Sequence, residues 1–178
     1  MSDPLHGEGF ALRRASERDL DFMVALTGHE EVEPFMAAVS ARKPAEILDE
    51  IRRSETDPQH YGRFVIEVDG VRSGLMSFEV FSRRSRIADL RGLMLHPDFR
   101  GRGLADAAAR LLVHHLVYEL DYHRVQLECY GFNERAMRHA ERAGFTQEGI
   151  KRQAYWRHGE WVDGVLFGLV REDLEAAS

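Results

Sequence analysis

Arginine and glycine alternate in one short segment, which is the part of this sequence best suited to binding an anion. It reads Arg100-Gly101-Arg102-Gly103-Leu104-Ala105 and leads into an apolar stripe with helical spacing. The first N–H groups of a helix have no intrahelical partner and the helix dipole favours an anion, so a phosphate can bind there directly. Glycine leaves that backbone open, and arginine adds positive charge. The segment therefore predicts a phosphate-binding loop; the alternative is a tight glycine turn with solvated arginines.

Two common phosphate-binding loops do not match this segment. A nucleotide P-loop requires Gly-Lys-Ser/Thr, whereas Gly103 is followed by Leu104 and Ala105. A dinucleotide fingerprint requires a third glycine where the sequence has Asp106. The loop must therefore serve another phosphate ligand if it serves one at all.

The elements that position this loop can be predicted from hydrophobic periodicity and turn residues. A strand over 10–14 precedes a helix capped by Ser16 that runs to about Thr27, and a second helix begins at Pro44. Three antiparallel strands, a long helix, a strand, a short helix and a final hairpin follow over 61–68, 71–81, 87–95, 103–120, 124–130, 133–144, 145–155 and 161–170. This order predicts a mixed α/β (α+β) domain with a strand-loop-helix unit at its centre.

Length and composition favour one globular domain over residues 1–178. The chain is 44% hydrophobic and 30% charged, with no apolar run long enough to cross a membrane. The net charge of −6 argues against a nucleic-acid partner and permits attraction of small cations. The acidic start predicts no export signal and hence a cytoplasmic location, with which the single cysteine, Cys129, agrees. The histidines lack metal-ligand spacing, so no metal is expected.

Two motifs in order resemble the GCN5-related N-acetyltransferase (GNAT) family. The first is the loop at 100–105, which follows a strand that ends in His96-Pro97. The second is Asn133-Glu134-Arg135-Ala136, followed by Arg142-Ala143-Gly144-Phe145 at the distance typical of the family. The ending is similar to the ribosomal-protein and polyamine acetyltransferase branch, and residues 63–70 are similar to spermidine acetyltransferases.

The resemblance implies a GNAT fold: a mixed, mostly antiparallel sheet flanked by helices, with a splayed pair of parallel strands at an acetyl-CoA site. It implies that the backbone of Leu93, Met94 and Leu95 pairs with the pantetheine arm. Residues 100–105 would hold the pyrophosphate, Asn133 would contact the cofactor as well as cap its helix, and Arg135 would either approach the phosphates or be surface charge.

Acyl transfer to an amine requires a base, because a free alkyl ammonium has a pKa near ~10.4. Asp89 occupies the position where the family often has a catalytic glutamate, and alternation puts it on one strand face with Arg91, Leu93 and Leu95. The alternative is an Asp–Arg pair. The family's usual thiolate-protonating tyrosine is replaced by Ala140. Tyr155 or Tyr130 is then the candidate acid, with core packing as the alternative role.

Clustered carboxylates and an aromatic residue lie where this family commonly builds its acceptor pocket. A protonated amine would be attracted to such a site, although a solvated acidic loop explains the same residues. The candidate acceptor residues are Glu31, Glu33, Phe35 and Glu79, with Tyr155, Trp156 and Glu160 as further candidates.

The resulting hypothesis is an enzyme that transfers acetyl from acetyl-CoA to a primary amine in a ternary complex. The amine could be a polyamine, a protein N-terminus, an amino acid or an amino sugar. A CoA-binding sensor without catalysis, suggested by Ala140, and a nucleotide-binding regulatory domain are the competing hypotheses. A homodimer paired through the C-terminal strands is compatible with the resemblance.

Overall fold

The structure, a computed structural model, describes residues 3–36 and 43–176 and contains one eight-stranded sheet. The strand order is β1-β2-β3-β4-β5-β6-β8-β7, and every neighbouring pair is antiparallel except β5 and β6. The strands are β1 (Leu5–Gly7), β2 (Phe10–Arg14), β3 (Tyr61–Val68), β4 (Val71–Ser82), β5 (Ile87–Leu95), β6 (Arg124–Tyr130), β7 (Thr146–Arg157) and β8 (Glu160–Val170).

Helices cover both faces of this sheet. They are α1 (Leu20–Thr27), α2 (Pro44–Thr56), α3 (Leu104–His114), α4 (Glu134–Arg142) and α5 (Arg171–Ala176). Short 3-10 turns occupy Glu17–Asp19, Glu33–Phe35 and Pro97–Phe99, and a π turn, His115–Glu119, continues α3. No helix in the described residues is both long and apolar enough to cross a membrane.

Two apolar cores lie on opposite faces of the sheet, because alternate strand residues point to opposite faces. One core lies beneath α3 and α4 and includes Leu112, Val125 and Phe167. The other lies beneath α1 and α2 and includes Met23, Ile51 and Leu75. We call these two sides the α3 face and the α1 face.

The predicted mixed class and order of elements are confirmed, with β5 and β6 ending where the sequence indicated. The prediction missed β1, which pairs only with the five-residue β2. It also took residues 103–120 as one helix, although the last turn is a π turn. The predicted cap at Asn133 agrees with the structure, and α3 begins directly after Gly103, as expected.

One expectation about β5 is wrong, because the strand contains a β-bulge. Met76 of β4 opposes both Gly92 and Leu93, and Gly92 has φ of +58°. A bulge inserts one residue and reverses the alternation beyond it. Leu93 and Leu95 therefore pack on the α3 face, whereas Asp89 alternates with buried Ala88 and Leu90 and points to the α1 face. Asp89 does not share a face with Leu93 and Leu95.

Candidate active site

The parallel strands β5 and β6 are paired for three residues and then separate. The last matched pair is Asp89 with Gln126, although β5 continues to Leu95 and β6 to Tyr130. Beyond that pair, the edge of β5 that carries Leu93, Met94 and Leu95 faces an opening rather than a strand. The predicted splayed pair of parallel strands is thus present, and its open end points toward the loop before α3.

That loop has the backbone conformation for which glycine is required. Gly101 has φ of +77° and Gly103 has φ of +71°, in the left-handed region that disfavours side chains. A Cβ at either position would meet no atom within 4 Å, so the surroundings of the loop are open. Gly103 is the N-cap of α3, and Leu104 and Ala105 begin the helix with unpartnered N–H groups. An open, N–H-rich helix start fits a phosphate group.

Positive charge converges beside the loop from two elements. Arg100 donates from Nη1 to the Glu31 carboxylate at 2.7 Å and from Nε to the carbonyl of Leu95 at 3.3 Å. Arg135, on α4, lies over the ring of Phe35 at 5.8 Å. Burial lowers the pKa of Arg135, and the nearby Arg100 lowers it further while Glu31 opposes this. Glu31 is hydrogen-bonded to Arg100 and close enough to Arg135 to affect its pKa, and Arg102 is exposed on the loop itself.

The structure places the other predicted cofactor residue in its capping role. The Asn133 side-chain oxygen accepts from the backbone N–H of Ala136 at 3.1 Å. Ala140, where the tyrosine of the family is missing, is fully buried in the core under α3. Cys129 is partly buried on the same face, and burial together with the Glu128 charge raises its thiol pKa to about 11. A thiol so rarely ionised is a poor nucleophile.

Asp89 belongs to a network of paired charges on the α1 face. Its two oxygens accept from Arg91 at 2.9 Å and from the Gln126 amide at 2.8 Å. Arg91 also donates to Glu79 at 2.8 Å, and Glu79 pairs with Arg53 of α2 at 2.8 Å. The structure therefore brings the predicted residues Asp89 and Glu79 together, each already paired with an arginine.

Glu128 is a further carboxylate beside the opening, which the sequence analysis did not single out. It lies on the α1 face of β6, beside the opening, and accepts from the Tyr155 hydroxyl at 2.6 Å and from Lys151 at 2.7 Å. The hydrogen bond to the Glu128 carboxylate, with burial, raises the pKa of Tyr155 to about 12. The alternation of Gln126, Glu128 and Tyr130 with core residues was a signal that could have identified it.

Gly164 explains how Glu128 and Tyr155 meet, since β8 lies between their strands. A Cβ at Gly164 would overlap the Glu128 carboxylate and would lie 2.8 Å from the Tyr155 ring. The missing side chain thus opens a path across β8 for the hydrogen bond between them.

Aromatic rings continue from Tyr155 toward the segment after α1. Tyr130 contacts Tyr155 edge-on at 5.3 Å and stacks on Phe132 at 5.3 Å, and Phe132 lies 6.2 Å from Phe35. Glu33 begins the short 3-10 turn that carries Phe35. Trp156 instead pairs with Trp161 at the end of the last hairpin, where both indoles and Glu160 are exposed.

The known proteins to which this sequence is similar include N-acetyltransferases. A family profile described as Acetyltransferase (GNAT) domain matches residues 10–146. The spermidine N(1)-acetyltransferase of Escherichia coli K12 is 25% identical over 86% of this chain and 82% of its own length. The L-amino acid N-acetyltransferase AaaT of the same organism is 25% identical over 90% of this chain and 97% of its own.

A solved structure has the same fold. The spermidine N-acetyltransferase from Vibrio cholerae, in complex with CoA and spermine, superposes with a TM-score of 0.84 at 19% identity over 93% of this chain and 97% of that one. The family match covers well over half of the chain, and the splayed strands and glycine loop are where the resemblance requires them. This chain belongs to the acetyltransferase (GNAT) domain family, the N-acetyltransferases that use acetyl-CoA.

Proposed function

We propose that this chain transfers an acetyl group to a primary amine that attacks acetyl-CoA directly from the α1 face. The observation that carries the proposal is the position of the Glu128 carboxylate. It lies on the open part of β6 and on the α1 face, the face to which Asp89 also points from the closed end of the opening. Cofactor and amine would then meet across the gap between β5 and β6, as a ternary complex requires.

Acetyl-CoA would be bound by the glycine loop and by the open edge of β5. The N–H groups of residues 101–105 would hold the pyrophosphate, with Arg100, Arg102 and Arg135 supplying positive charge. The free edge of β5 at residues 93–95 would pair with the pantetheine amides. An arriving phosphate would compete with Glu31 for Arg100, because both are anions that the same guanidinium can bind.

The chemical step needs a neutral amine and a leaving thiolate. The nitrogen lone pair forms the C–N bond, the C–S bond breaks, and the electron pair leaves on sulfur. The nitrogen loses its proton to a base, and the thiolate later takes up a proton. Because a thiol has a pKa of about 8.5, the thiolate can leave with little acid help, which is consistent with Ala140.

Glu128 is the base that we propose, directly or through water, and Tyr155 positions it. With a pKa raised to about 12, Tyr155 stays protonated at neutral pH and donates its hydrogen to Glu128. Asp89 remains the alternative base predicted from the sequence. The oxygens of both carboxylates are bound, but Asp89 lies in the last matched pair of β5 and β6, whereas Glu128 lies two residues beyond that pair on the open part of β6.

A thiol-release assay with acetyl-CoA and a panel of amines tests the proposal. The panel contains spermidine, amino acids, short peptides and an amino sugar, and the enzymes are wild type, Glu128→Gln and Asp89→Asn. We expect turnover of at least one amine and a loss of about 10²-fold or more in kcat for Glu128→Gln. A smaller loss in Glu128→Gln than in Asp89→Asn would give the role of base to Asp89. CoA binding without turnover of any amine would favour the sensor hypothesis.

The location and assembly of the enzyme remain predictions. The cytoplasmic location rests on the sequence alone. A homodimer through the C-terminal strands is compatible with the exposed side chains of Ile150, Trp156 and Trp161 on the last hairpin. One of the similar solved structures, a spermidine N-acetyltransferase from Vibrio cholerae, is dodecameric. Analytical ultracentrifugation of the purified chain would give its oligomeric state.

A further inference from the structure

A buried cation lies at the end of β7. Arg157 is only 7% exposed, and among the residues the structure describes it forms no ion pair. Its Nη2 donates to the carbonyl of Pro34 at 3.2 Å, but its Nε has no hydrogen-bond partner within residues 3–36 and 43–176. A buried guanidinium is costly unless it is paired and its donors are satisfied. An anionic group would satisfy both requirements.

Arg157 belongs to the same site as Glu128. Arg157 and Tyr155 are two residues apart on β7 and point to the same face. The ring of Tyr130 lies between them, 5.4 Å from the Arg157 guanidinium carbon and 5.3 Å from the Tyr155 ring. Tyr155 in turn binds Glu128. A carboxylate and a buried cation thus lie at the two sides of one pair of tyrosines.

The surface next to Arg157 is aromatic. Phe35 is 43% exposed and Phe132 is 38% exposed, and their centroids are 6.2 Å apart. His158 contacts Phe132 edge-on at 5.4 Å and, like Arg157, contacts the carbonyl of Pro34. Partly exposed rings beside a site favour a ligand with an apolar or aromatic group.

Two acidic residues near Glu128 are already paired with arginines. Asp89 is paired with Arg91, and Glu79 with both Arg53 and Arg91. A second ammonium group on the acceptor would have to displace an arginine to reach either carboxylate. These two residues therefore do not favour a spermidine-like polyamine over an amine with a single positive charge.

We propose that the acceptor is an α-amino acid with an aromatic or large apolar side chain. Its carboxylate pairs with Arg157, its α-amine is directed to Glu128, and its side chain packs on Phe35 and Phe132. This inference rests on the proposed function, because it names the acceptor of that reaction. A peptide N-terminus has the same amine and side chain but offers a carbonyl instead of a carboxylate.

Substrate comparison with the wild-type enzyme is the first test. We expect kcat/KM for L-phenylalanine to exceed at least tenfold that for phenethylamine, L-phenylalaninamide and the peptide Phe-Ala-Ala, all of which lack the α-carboxylate. L-Alanine, which keeps the carboxylate and lacks the ring, should also be at least tenfold poorer. Equal or better turnover of the compounds without the carboxylate would overturn the inference.

Variants at Arg157 form the second test. Arg157→Gln should lower kcat/KM for L-phenylalanine at least tenfold, mainly through KM, and leave phenethylamine within about twofold. Arg152→Gln, an exposed arginine on the same strand, is the matched control and should change neither. Equal losses for both substrates would show a merely structural Arg157 and would overturn the inference. If Arg157→Gln does not fold, Arg157→Lys, which keeps the charge, should retain the preference for L-phenylalanine over phenethylamine.

The two proposals fail differently in these assays. Turnover of spermidine or of an amino sugar in preference to all amino acids would leave the acetyltransferase proposal intact and overturn the amino-acid acceptor. Absence of turnover with every amine would overturn both.

Discussion

At the scale of single residues, the role of each acidic side chain depends on what already binds it. Asp89, Glu79 and Glu31 each accept a hydrogen bond from an arginine, which occupies part of the carboxylate's accepting capacity. Glu128 instead accepts from a phenol and an ammonium at the edge of the opening. We infer that the first three organise charge and that Glu128 is the carboxylate positioned for proton transfer.

Removing the Tyr155 hydroxyl should lower kcat/KM without changing how kcat/KM depends on pH in the alkaline range. Tyr155→Phe loses a hydrogen bond to a charged group, about 1.5–3 kcal/mol, so kcat/KM should fall roughly 10- to 100-fold. Because the pKa of Tyr155 is raised to about 12, the phenol stays protonated up to about pH 10. The alkaline limb of kcat/KM between pH 7 and 10 should therefore be unchanged in shape.

The measurement is kcat/KM against pH for wild type, Tyr155→Phe and a matched control, Tyr118→Phe. Tyr118 is an exposed tyrosine in the π turn after α3, and its change should have no effect. An alkaline limb present in wild type and absent only in Tyr155→Phe would show that the phenol ionises in that range and would contradict the prediction.

At the scale of elements, the sequence predicted most of the scaffold. Regular alternation and turn residues were sufficient to predict β3 to β6, because local preference and final structure agree there. The bulge at Gly92 was missed, since a glycine within an apolar run does not show which partner residue it faces. That single insertion places Leu93 and Leu95 on the face opposite to Asp89.

The candidate site was predictable to the extent that it is local in sequence. The loop at 100–105 and the cap at Asn133 each lie within one short segment and depend on backbone geometry. The pairing of Glu128 with Tyr155, and of Arg157 with Pro34, joins residues from distant segments across the sheet. Such contacts depend on strand order and on the space at Gly164, which periodicity alone does not specify.

Two glycine variants can separate the effect of the loop before α3 on stability from its effect on acetyl-CoA binding. Gly103→Ala and Gly70→Ala both place a side chain at positive φ, +71° and +76°, with no atom near the new Cβ. Each should lose about 1–2 kcal/mol of stability for the same steric reason. Only Gly103→Ala adds a methyl group where the pyrophosphate would bind, so only this variant should raise KM for acetyl-CoA.

Thermal unfolding and acetyl-CoA titration of the two variants provide the measurement. We expect similar decreases in Tm and an increase of about tenfold in KM for Gly103→Ala alone, equivalent to about 1.4 kcal/mol. An unchanged KM in Gly103→Ala would show that the phosphate does not approach this part of the loop. A matching KM increase in Gly70→Ala would attribute the effect to global destabilisation.

At the scale of the whole molecule, the two segments predicted to hold the cofactor are joined through hydrogen bonds to the buried carboxylate of Asp106. Asp106 of α3 accepts from His139 at 2.6 Å and from Arg142 at 2.6 Å, and both of those residues lie on α4. The helix that follows the glycine loop is thus fixed to the helix that Asn133 caps. A change at Asp106 should affect the relative positions of both segments.

Acid sensitivity should follow from this buried carboxylate. Burial acts to raise the pKa of Asp106, but the hydrogen bonds from Arg142 and His139 outweigh it, and the pKa lies below the ordinary value. A carboxyl with a lower pKa in the folded state contributes stability that is present above its unfolded pKa of about 3.9 and is lost as pH falls through the folded pKa. The wild-type Tm should therefore decrease below about pH 4, in part through Asp106.

Asp106→Asn removes the charge at every pH and isolates its contribution. At pH 7 the variant should be less stable by about 1–3 kcal/mol, since Arg142 and His139 lose a buried carboxylate partner, which lowers Tm by several degrees. Between pH 5 and 3 its Tm should decrease less than that of wild type. Asp49→Asn, at an exposed position of α2, should follow wild type throughout. If Asp106→Asn showed the full wild-type loss on acidification, the acid sensitivity would have to arise elsewhere, with the buried Asp19–Arg13 pair as the next carboxylate to test, because its pKa is also lowered.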